Sequence, residues 1–438
     1  MSTPLTARLI EEYASASQAL PSSGAAADRR NAAIEVLRAQ GLPTSRDENW
    51  KYANLRVLER LRFAPAAGAA TATRVSVSAA DMPPALPDFA RYVYVDGVLS
   101  ATLSAPAATG AATVTPLAST PAVAGAATPA LKADERFAAV NAAFATDGTA
   151  IRVTAGTGAA TPAGIELVFV ASADAQAGAS YPRVAVRLEA GARLTLIERH
   201  LSAGSDNSFV NSAVTADLAR GATLQHYRLQ DLAGRAIMFD TLSATLGADA
   251  SYHLHGISTG AQAARSTLTV RLAGERANLA MAMAALGDRA QVNDMFALVE
   301  HLAPGARTTQ TFRGISAGRA RVAFNGKIVV ARNAAGTDSQ QSLRGLLAGA
   351  EAEIDVRPQL EIYTDDVRCS HGATVGKLDD NMLFYLLSRG LDRDTAQRLL
   401  KWAFLAEVVT KISVPALRRE IEAHLPGALK DATLQELL

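Results

Sequence analysis

The chain has 438 residues, a formal net charge of +1 and one cysteine. This length allows two or three domains, while the near-neutral charge and dispersed basic residues argue against nucleic-acid or acidic-membrane binding. A single cysteine excludes an intrachain disulfide framework, and neither a secretory signal nor an apolar stretch of membrane-spanning length is evident. We therefore expect a cytoplasmic protein that binds neither nucleic acid nor membrane.

The N-terminal segment, residues 1–147, is predicted to be a helical domain with a linker rich in Ala, Pro and Thr. Leu5, Leu9, Ile10 and Tyr13 recur at helical spacing, and further helices are expected from about 25 to 40 and from about 133 to 145. Trp50 is interpreted as a packed aromatic that anchors these helices. A strand over residues 91–95 precedes Asp96-Gly97, a dipeptide that predicts a hairpin turn.

Residues 148–374 have a different pattern, with many short strands and no crossover helices. This excludes a doubly wound sheet and leaves a sandwich, a barrel or a β-solenoid. Turns that contain glycine recur at Gly191, Gly221, Gly247 and Gly305. Such periodic turns favour the solenoid.

Residues 375–438 are again predicted to be helical. Asp379 is expected to cap a helix that continues to Ser388, and Asp392 to begin the next one. Pro415 precedes another helix, and a short helix is expected at the end of the chain.

The chemically distinctive site is Cys369, which lies two residues before His371 and follows the apolar run 360–363. If that strand continues, alternation places both residues on one face together with Asp365 and Val367. A thiolate and an imidazole suit zinc, copper or iron–sulfur chemistry. Two ligands do not complete a tetrahedral site, so further donors must come from elsewhere or from another subunit. The alternative is that Cys369 is a small buried apolar residue.

Other motifs are weaker. His253 and His255 face the same way on a predicted strand, but we interpret them as structural rather than as metal ligands. No phosphate-binding loop is present, so we expect no nucleotide to bind to this chain. No Cys-x-x-Cys pair is present either, so the chain cannot hold a complete cluster with its own cysteines.

Residues 365–391 closely resemble the C-terminal signature of the SufD group, which belongs to the SufB/SufD family of the Suf iron–sulfur cluster assembly scaffold, the SufBCD complex. The Trp-Lys-Tyr element within residues 46–55 is similar to another family segment. Residues 136–148, 324–328 and 337–341 follow in the family's order.

The resemblance implies a mainly β fold: a right-handed parallel β-helix flanked by N- and C-terminal α-helical domains. It also implies a non-enzymatic scaffold that acts with a SufB-like subunit and a SufC-like ATPase. A transient iron–sulfur cluster would be built at the interface with the SufB-like partner, which supplies an essential cysteine. His371, and with it Cys369, are the implied candidate ligands.

The C-terminal helices correspond to the family's docking surface for the ATPase. The implied contacts are the apolar residues Leu383, Phe384, Leu387 and Trp402. For each of them, packing within a small helical domain is an equally good interpretation.

Two other functions are weighed. A β-helical carbohydrate-active enzyme would use a carboxylate cluster and aromatic subsites, whereas aromatics are only 5% of this chain. A SufB-like sister subunit would carry a cysteine within the β core, whereas no cysteine precedes Cys369. In isolation, a homodimer is an alternative assembly.

Overall fold

The structure is a computed structural model that describes residues 3–20, 24–60, 64–65, 76–107, 110–117, 133–155, 162–172, 178–204 and 207–428. The expected helix at the very end of the chain lies outside these residues. The described α-helices are α1 (Pro4–Ala16), α2 (Gly24–Gln40), α3 (Leu55–Arg60), α4 (Phe137–Phe144), α5 (Asp380–Ser388), α6 (Arg393–Val409) and α7 (Pro415–Ala428).

Strands make up most of the remaining described structure. They are β1 (Ala64–Pro65), β2 (Ala90–Val95), β3 (Val98–Ala105), β4 (Ala112–Pro116), β5 (Thr149–Val153), β6 (Ala163–Ala171), β7 (Gly178–Ser180), β8 (Arg183–Leu188), β9 (Arg193–Ser202), β10 (Ser208–Leu218), β11 (Thr223–Leu232), β12 (Ile237–Leu246), β13 (Ser251–Gly260), β14 (Ala263–Leu272), β15 (Asn278–Gly287), β16 (Val292–His301), β17 (Arg307–Ser316), β18 (Arg321–Val330), β19 (Thr337–Leu347), β20 (Glu353–Ile362) and β21 (Val367–Gly376).

The strands form two sheets that face each other across one core. The first sheet has the order β20-β18-β16-β14-β12-β10-β8-β5-β4, and the second has the order β21-β19-β17-β15-β13-β11-β9-β6-β2-β3. From β8 onward the chain alternates between the sheets, and neighbouring strands are parallel. The predicted parallel β-solenoid is confirmed, with about seven turns.

The length of each turn explains the irregular spacing of the turn glycines. Register partners in the first sheet are Phe209 and Ile237, then Ile237 and Ala263, then Ala263 and Val292. These positions lie 28, 26 and 29 residues apart in the sequence. Gly305 adopts a φ of 69° in one of the turns, a conformation that favours glycine.

Inward side chains of both sheets form the largest apolar cluster. In the middle of the solenoid these are aliphatic and aromatic residues such as Leu242, Leu254 and Tyr252. Their alternation with outward residues follows from the period of two along a strand.

The N-terminal helices pack on the outer surface near β7, β10 and β12. Trp50 is only 1% exposed and stacks on Phe137, with 5.3 Å between ring centroids. Its indole N–H donates to Asp134 at 3.1 Å, and the guanidinium of Arg265 lies 4.3 Å from the ring centroid. The interpretation of Trp50 as a packed anchor is confirmed.

The segment before residue 148 contributes strands as well as helices. β2 pairs with β6 and β4 pairs with β5, so both extend the solenoid sheets. The hairpin prediction is confirmed, because Asp96 and Gly97 adopt positive φ values of 50° and 82° between antiparallel β2 and β3. The domain boundary at residue 148 stays a prediction.

The C-terminal helices cover the outer face of the second sheet. Leu405, Val408 and Leu417 are buried there with sheet residues such as Tyr227 and Ile257. The side chains of Asp379 and Asp392 cap α5 and α6, as predicted. Across the described residues, no helix combines the length and apolar character that crossing a membrane requires.

Candidate functional site

One end of the solenoid is open. In the described part of the chain, β20 pairs with β18 alone and β21 pairs with β19 alone. The outer edge of each terminal strand therefore presents backbone N–H and C=O groups without a strand partner. Cys369 and His371 both lie on β21, at this edge.

The predicted continuation of one strand from residue 360 to residue 371 is wrong. β20 ends at Ile362, and β21 begins at Val367 in the opposite sheet. A turn over residues 363–366 joins them, and the carbonyl of Asp366 accepts from the backbone N–H of Gly336 at 2.7 Å. Asp365 lies in this turn, so strand alternation does not place it beside His371.

Cys369 is half-buried and packs against the solenoid core together with Val367. Burial raises the pKa of its thiol, the nearby Asp338 raises it further, and a hydrogen bond from the backbone N–H of Ser339 opposes both effects. The thiol must therefore lose a proton before it can serve as a metal ligand.

His371 follows two residues later and is exposed. Because alternate residues of a strand share a face, its side chain lies on the inward side, as do those of Val367 and Cys369. Its register partner on β19 is Gln341, and the register partner of Cys369 is Ser339. The structure thus brings the two predicted ligands to one face of the terminal strand.

The donor set is incomplete within the described residues, which contain no group of three or more His, Cys, Asp or Glu side chains arranged to hold a metal. A thiol and an imidazole are two donors, and a tetrahedral iron needs four. A cluster at this position therefore requires donors that these residues do not supply.

Apolar side chains are exposed next to the open end. Of the eight exposed large apolar residues among those described, six lie between residues 362 and 385. They are Ile362, Tyr363, Val375, Met382, Phe384 and Tyr385. Apolar exposure concentrated in this stretch of the chain indicates an interaction surface.

The four predicted contacts of the C-terminal helices differ in their exposure. Phe384 is 72% exposed, whereas Leu383 is 6% exposed. Leu387 and Trp402 are half-buried, and Trp402 packs against the cluster that joins the C-terminal helices to the second sheet. Sequence reasoning missed Met382 and Tyr385. The predicted helix at 380–388 could have indicated them, because helical spacing places both residues on a different side from the buried Leu383.

His253 and His255 point outward from β13, toward the C-terminal helices. The ring of His255 stacks on Tyr227 with 5.2 Å between centroids. Burial, with smaller effects from His253 and Lys411, lowers the pKa of His255 to about 4. This packing agrees with the structural interpretation of the pair.

A buried charged network lies inside the solenoid, away from the open end. Glu198 accepts from Arg228 at 2.9 Å, and it contacts the ring nitrogens of His200 and His226 at 2.6 and 3.2 Å. Burial alone would raise the pKa of Glu198, but Arg228 and the two imidazoles hold it well below its usual range. Glu198 and His200 lie on β9, whereas His226 and Arg228 lie on β11, about one solenoid turn later in the sequence, so no single local motif revealed the network.

Comparison with known proteins assigns this architecture to a family. Residues 169–404 match the model of the SufBD core domain of the SUF system for FeS cluster assembly. The chain belongs to the SufBD family. This match covers more than half of the chain, including the open end, α5 and most of α6.

Two relatives align over most of the chain, and a third aligns over more than half of it. The iron-sulfur cluster assembly protein SufD of Escherichia coli is 31% identical over 91% of this chain and 92% of its own length. A SufBD family protein of Synechocystis sp. is 29% identical over 89% of this chain and 88% of its own length. The chloroplastic protein ABCI7 of Arabidopsis thaliana is 28% identical over 57% of this chain and 53% of its own length.

Proposed function

We propose that this chain is a non-enzymatic scaffold subunit on which an iron–sulfur cluster is assembled, together with a SufB-like subunit and a SufC-like ATPase. The nascent cluster is cargo, built at the interface with the SufB-like subunit near His371. The single observation that carries the proposal is the position of Cys369 and His371 on a terminal strand whose outer edge is open.

The open edge supports a partner of the same architecture. A strand added to β20 or β21 would satisfy backbone groups that now lack a strand partner. The exposed Ile362, Tyr363 and Val375 lie on or beside these strands and would be covered by such a partner. A second solenoid therefore fits this end better than a small globular protein does.

The incomplete donor set supports sharing of the cluster. His371 and Cys369 offer one imidazole and one sulfur ligand, so a partner would supply the remaining sulfur donors. An exposed edge is also consistent with a transient cluster, because a cluster that this chain holds through only two ligands can be released.

The helix α5 supports a second partner. Met382, Phe384 and Tyr385 are each more than half exposed on α5, a helix whose buried residue is Leu383. We assign this apolar surface to the SufC-like ATPase. Leu383, Leu387 and Trp402 would then support the surface rather than provide most of its contact area.

The first experiment is co-expression with SufB-like and SufC-like proteins, followed by native mass spectrometry of the purified assembly. A complex that contains all three chains supports the proposal. Recovery of the chain alone or as a homodimer would contradict it.

The second experiment measures iron and sulfide in that complex after reconstitution. His371→Ala is expected to lower the cluster yield strongly without releasing a subunit, and Cys369→Ala to lower it less. His253→Ala is the matched control. His253 also lies on a strand of the second sheet, β13, but far from the open end. Equal yields for His371→Ala and the control would remove His371 from the assembly site.

A further inference from the structure

The inward residues of the second sheet change from apolar to polar close to the open end. At one register position the inward residues run from Leu254 on β13 and Met281 on β15 to Gln310 on β17, Gln341 on β19 and His371 on β21. Two apolar residues are thus followed by two buried amides, 1% and 4% exposed, directly beneath His371.

The two amides are held in a fixed arrangement. The amide nitrogen of Gln341 donates to the side-chain oxygen of Gln310 at 2.8 Å and to the backbone carbonyl of Gly326 at 3.2 Å. The backbone carbonyl of Gly326 can only accept, so it determines which end of the Gln341 amide carries the nitrogen. The oxygen of Gln341 consequently points away from that carbonyl.

Gly326, on the facing sheet, makes room for this arrangement. A methyl group at this position would lie 2.7 Å from the ring of Phe324, 2.9 Å from the amide nitrogen of Gln341 and 3.2 Å from the oxygen of Gln310. These separations are shorter than ordinary van der Waals contacts, so a larger residue would displace the two amides together with the ring of Phe324. This is a physical reason for glycine within the segment Phe324-Asn325-Gly326-Lys327.

The oxygen of Gln341 is a buried acceptor that lacks a hydrogen-bond partner. Burying such an oxygen without a donor costs about 1–3 kcal/mol. On the side of Gln341 that faces the open end, its register neighbour is His371, which lies on the inward face of the adjacent strand β21. Adjacent strands lie about 4.8 Å apart, so an imidazole N–H at this position can reach the oxygen.

We propose that Gln341 is a positioning residue for His371: its oxygen accepts the N–H of one ring nitrogen and so directs the other, unprotonated nitrogen toward the open edge. Partners of this kind set the tautomer and orientation of metal-binding histidines. The inference rests on the proposed function, because it treats His371 as a ligand for the cargo iron.

The first test needs neither partner nor cluster. The full chain is labelled with ¹⁵N-histidine and studied at pH 8.5, and the His371 signals are assigned with His371→Asn. The wild type should show one protonated-type and one unprotonated-type ring nitrogen. In Gln341→Leu the two shifts should converge toward the averaged values of a mixture of tautomers.

Two further variants keep the test decisive. Gly326→Ala should displace the amides and produce the same convergence, even if Gln341→Leu does not fold. Ser339→Ala is the matched control, because Ser339 is also buried and also has an oxygen without a partner, but lies in register with Cys369. Unchanged His371 shifts in both Gln341→Leu and Gly326→Ala would overturn the proposal, as would convergence in Ser339→Ala.

The second test uses the assembled complex and measures cluster yield. Gln341→Leu should lower the yield about tenfold, within the usual range for loss of a partner behind a ligand. If the NMR signature changes while the yield does not, Gln341 orients His371 as inferred and the assembly role of His371 fails. If the yield falls while the signature stays the same, the positioning inference fails.

Discussion

Arg199 on β9 holds the last described helix against the solenoid through Glu420. Its guanidinium donates to the two carboxylate oxygens of Glu420 at 2.6 and 2.9 Å, and also to Glu166 at 2.8 Å. The Arg199 side chain is only 3% exposed. A two-point contact of this geometry is among the stronger ion pairs in proteins.

Glu420→Gln should therefore destabilise the chain by about 2 kcal/mol, because a buried guanidinium keeps only part of its charge compensation. The measurement is the urea midpoint followed by circular dichroism. Glu422→Gln, which alters the exposed pair with Arg418 on the same helix, should cost less than about 0.5 kcal/mol. Equal effects for the two variants would contradict the assigned role of Arg199.

A second contact of α7 makes stability depend on pH. His424 lies 3.0 Å from Asp231, and this hydrogen bond raises the pKa of His424. Burial alone would raise the pKa of Asp231, but the bond from His424 outweighs it and lowers that pKa.

The stabilisation from His424 should be complete below its unfolded pKa of about 6.5 and lost as the pH rises through the raised folded value. The contribution of Asp231 is present above about pH 4 and lost at lower pH. His424→Gln should therefore reduce the urea midpoint more at pH 6 than at pH 9. In an Asp231→Asn background this difference should shrink to the smaller part that is due to Glu420, which also raises the pKa of His424. An undiminished difference would show that Asp231 is not responsible.

Trp50 connects the N-terminal helices to the solenoid through Phe137, Asp134 and Arg265. Trp50→Ala should reduce the free energy of unfolding by about 4 kcal/mol, as expected for a large buried aromatic. Trp50→Phe keeps a ring against Phe137 and Arg265 and should cost less. Chemical denaturation measures both, and equal costs would show that the ring contacts contribute little.

Substitutions at two adjacent residues of α5 should distinguish a role in packing from a role in partner binding. Phe384→Ser should leave the urea midpoint almost unchanged, because this ring is 72% exposed, but should weaken binding of the SufC-like ATPase. Leu383→Ala should lower the urea midpoint, because Leu383 is buried. Binding is measured by titration calorimetry with the purified ATPase. An unchanged affinity of Phe384→Ser would place the ATPase elsewhere.

Local signals in the sequence predicted most of the fold. The caps Asp379 and Asp392, the Asp96-Gly97 turn and the recurring glycines act over a few residues, and each prediction from them was confirmed. The break between β20 and β21 was missed. Apolar residues lie on both sides of Asp365, so the sequence reads as one strand, and the turn becomes evident only because β20 and β21 pair in different sheets.

The candidate site was only partly predictable. Cys369 and His371 are close in sequence, so their common face followed from strand alternation. The position of Gln341 beneath His371 depends on register across one full turn, and the contact with Gly326 depends on the facing sheet. Neither relationship can be detected in a short segment of the sequence.

The open end of the solenoid also sets an order of events during synthesis. Each turn rests on the turn before it, and the strands enter the sheets in the order in which the ribosome makes them. β20 and β21 are therefore the last strands to be completed. The edge that we assign to the SufB-like partner is complete only after all the preceding turns have been made.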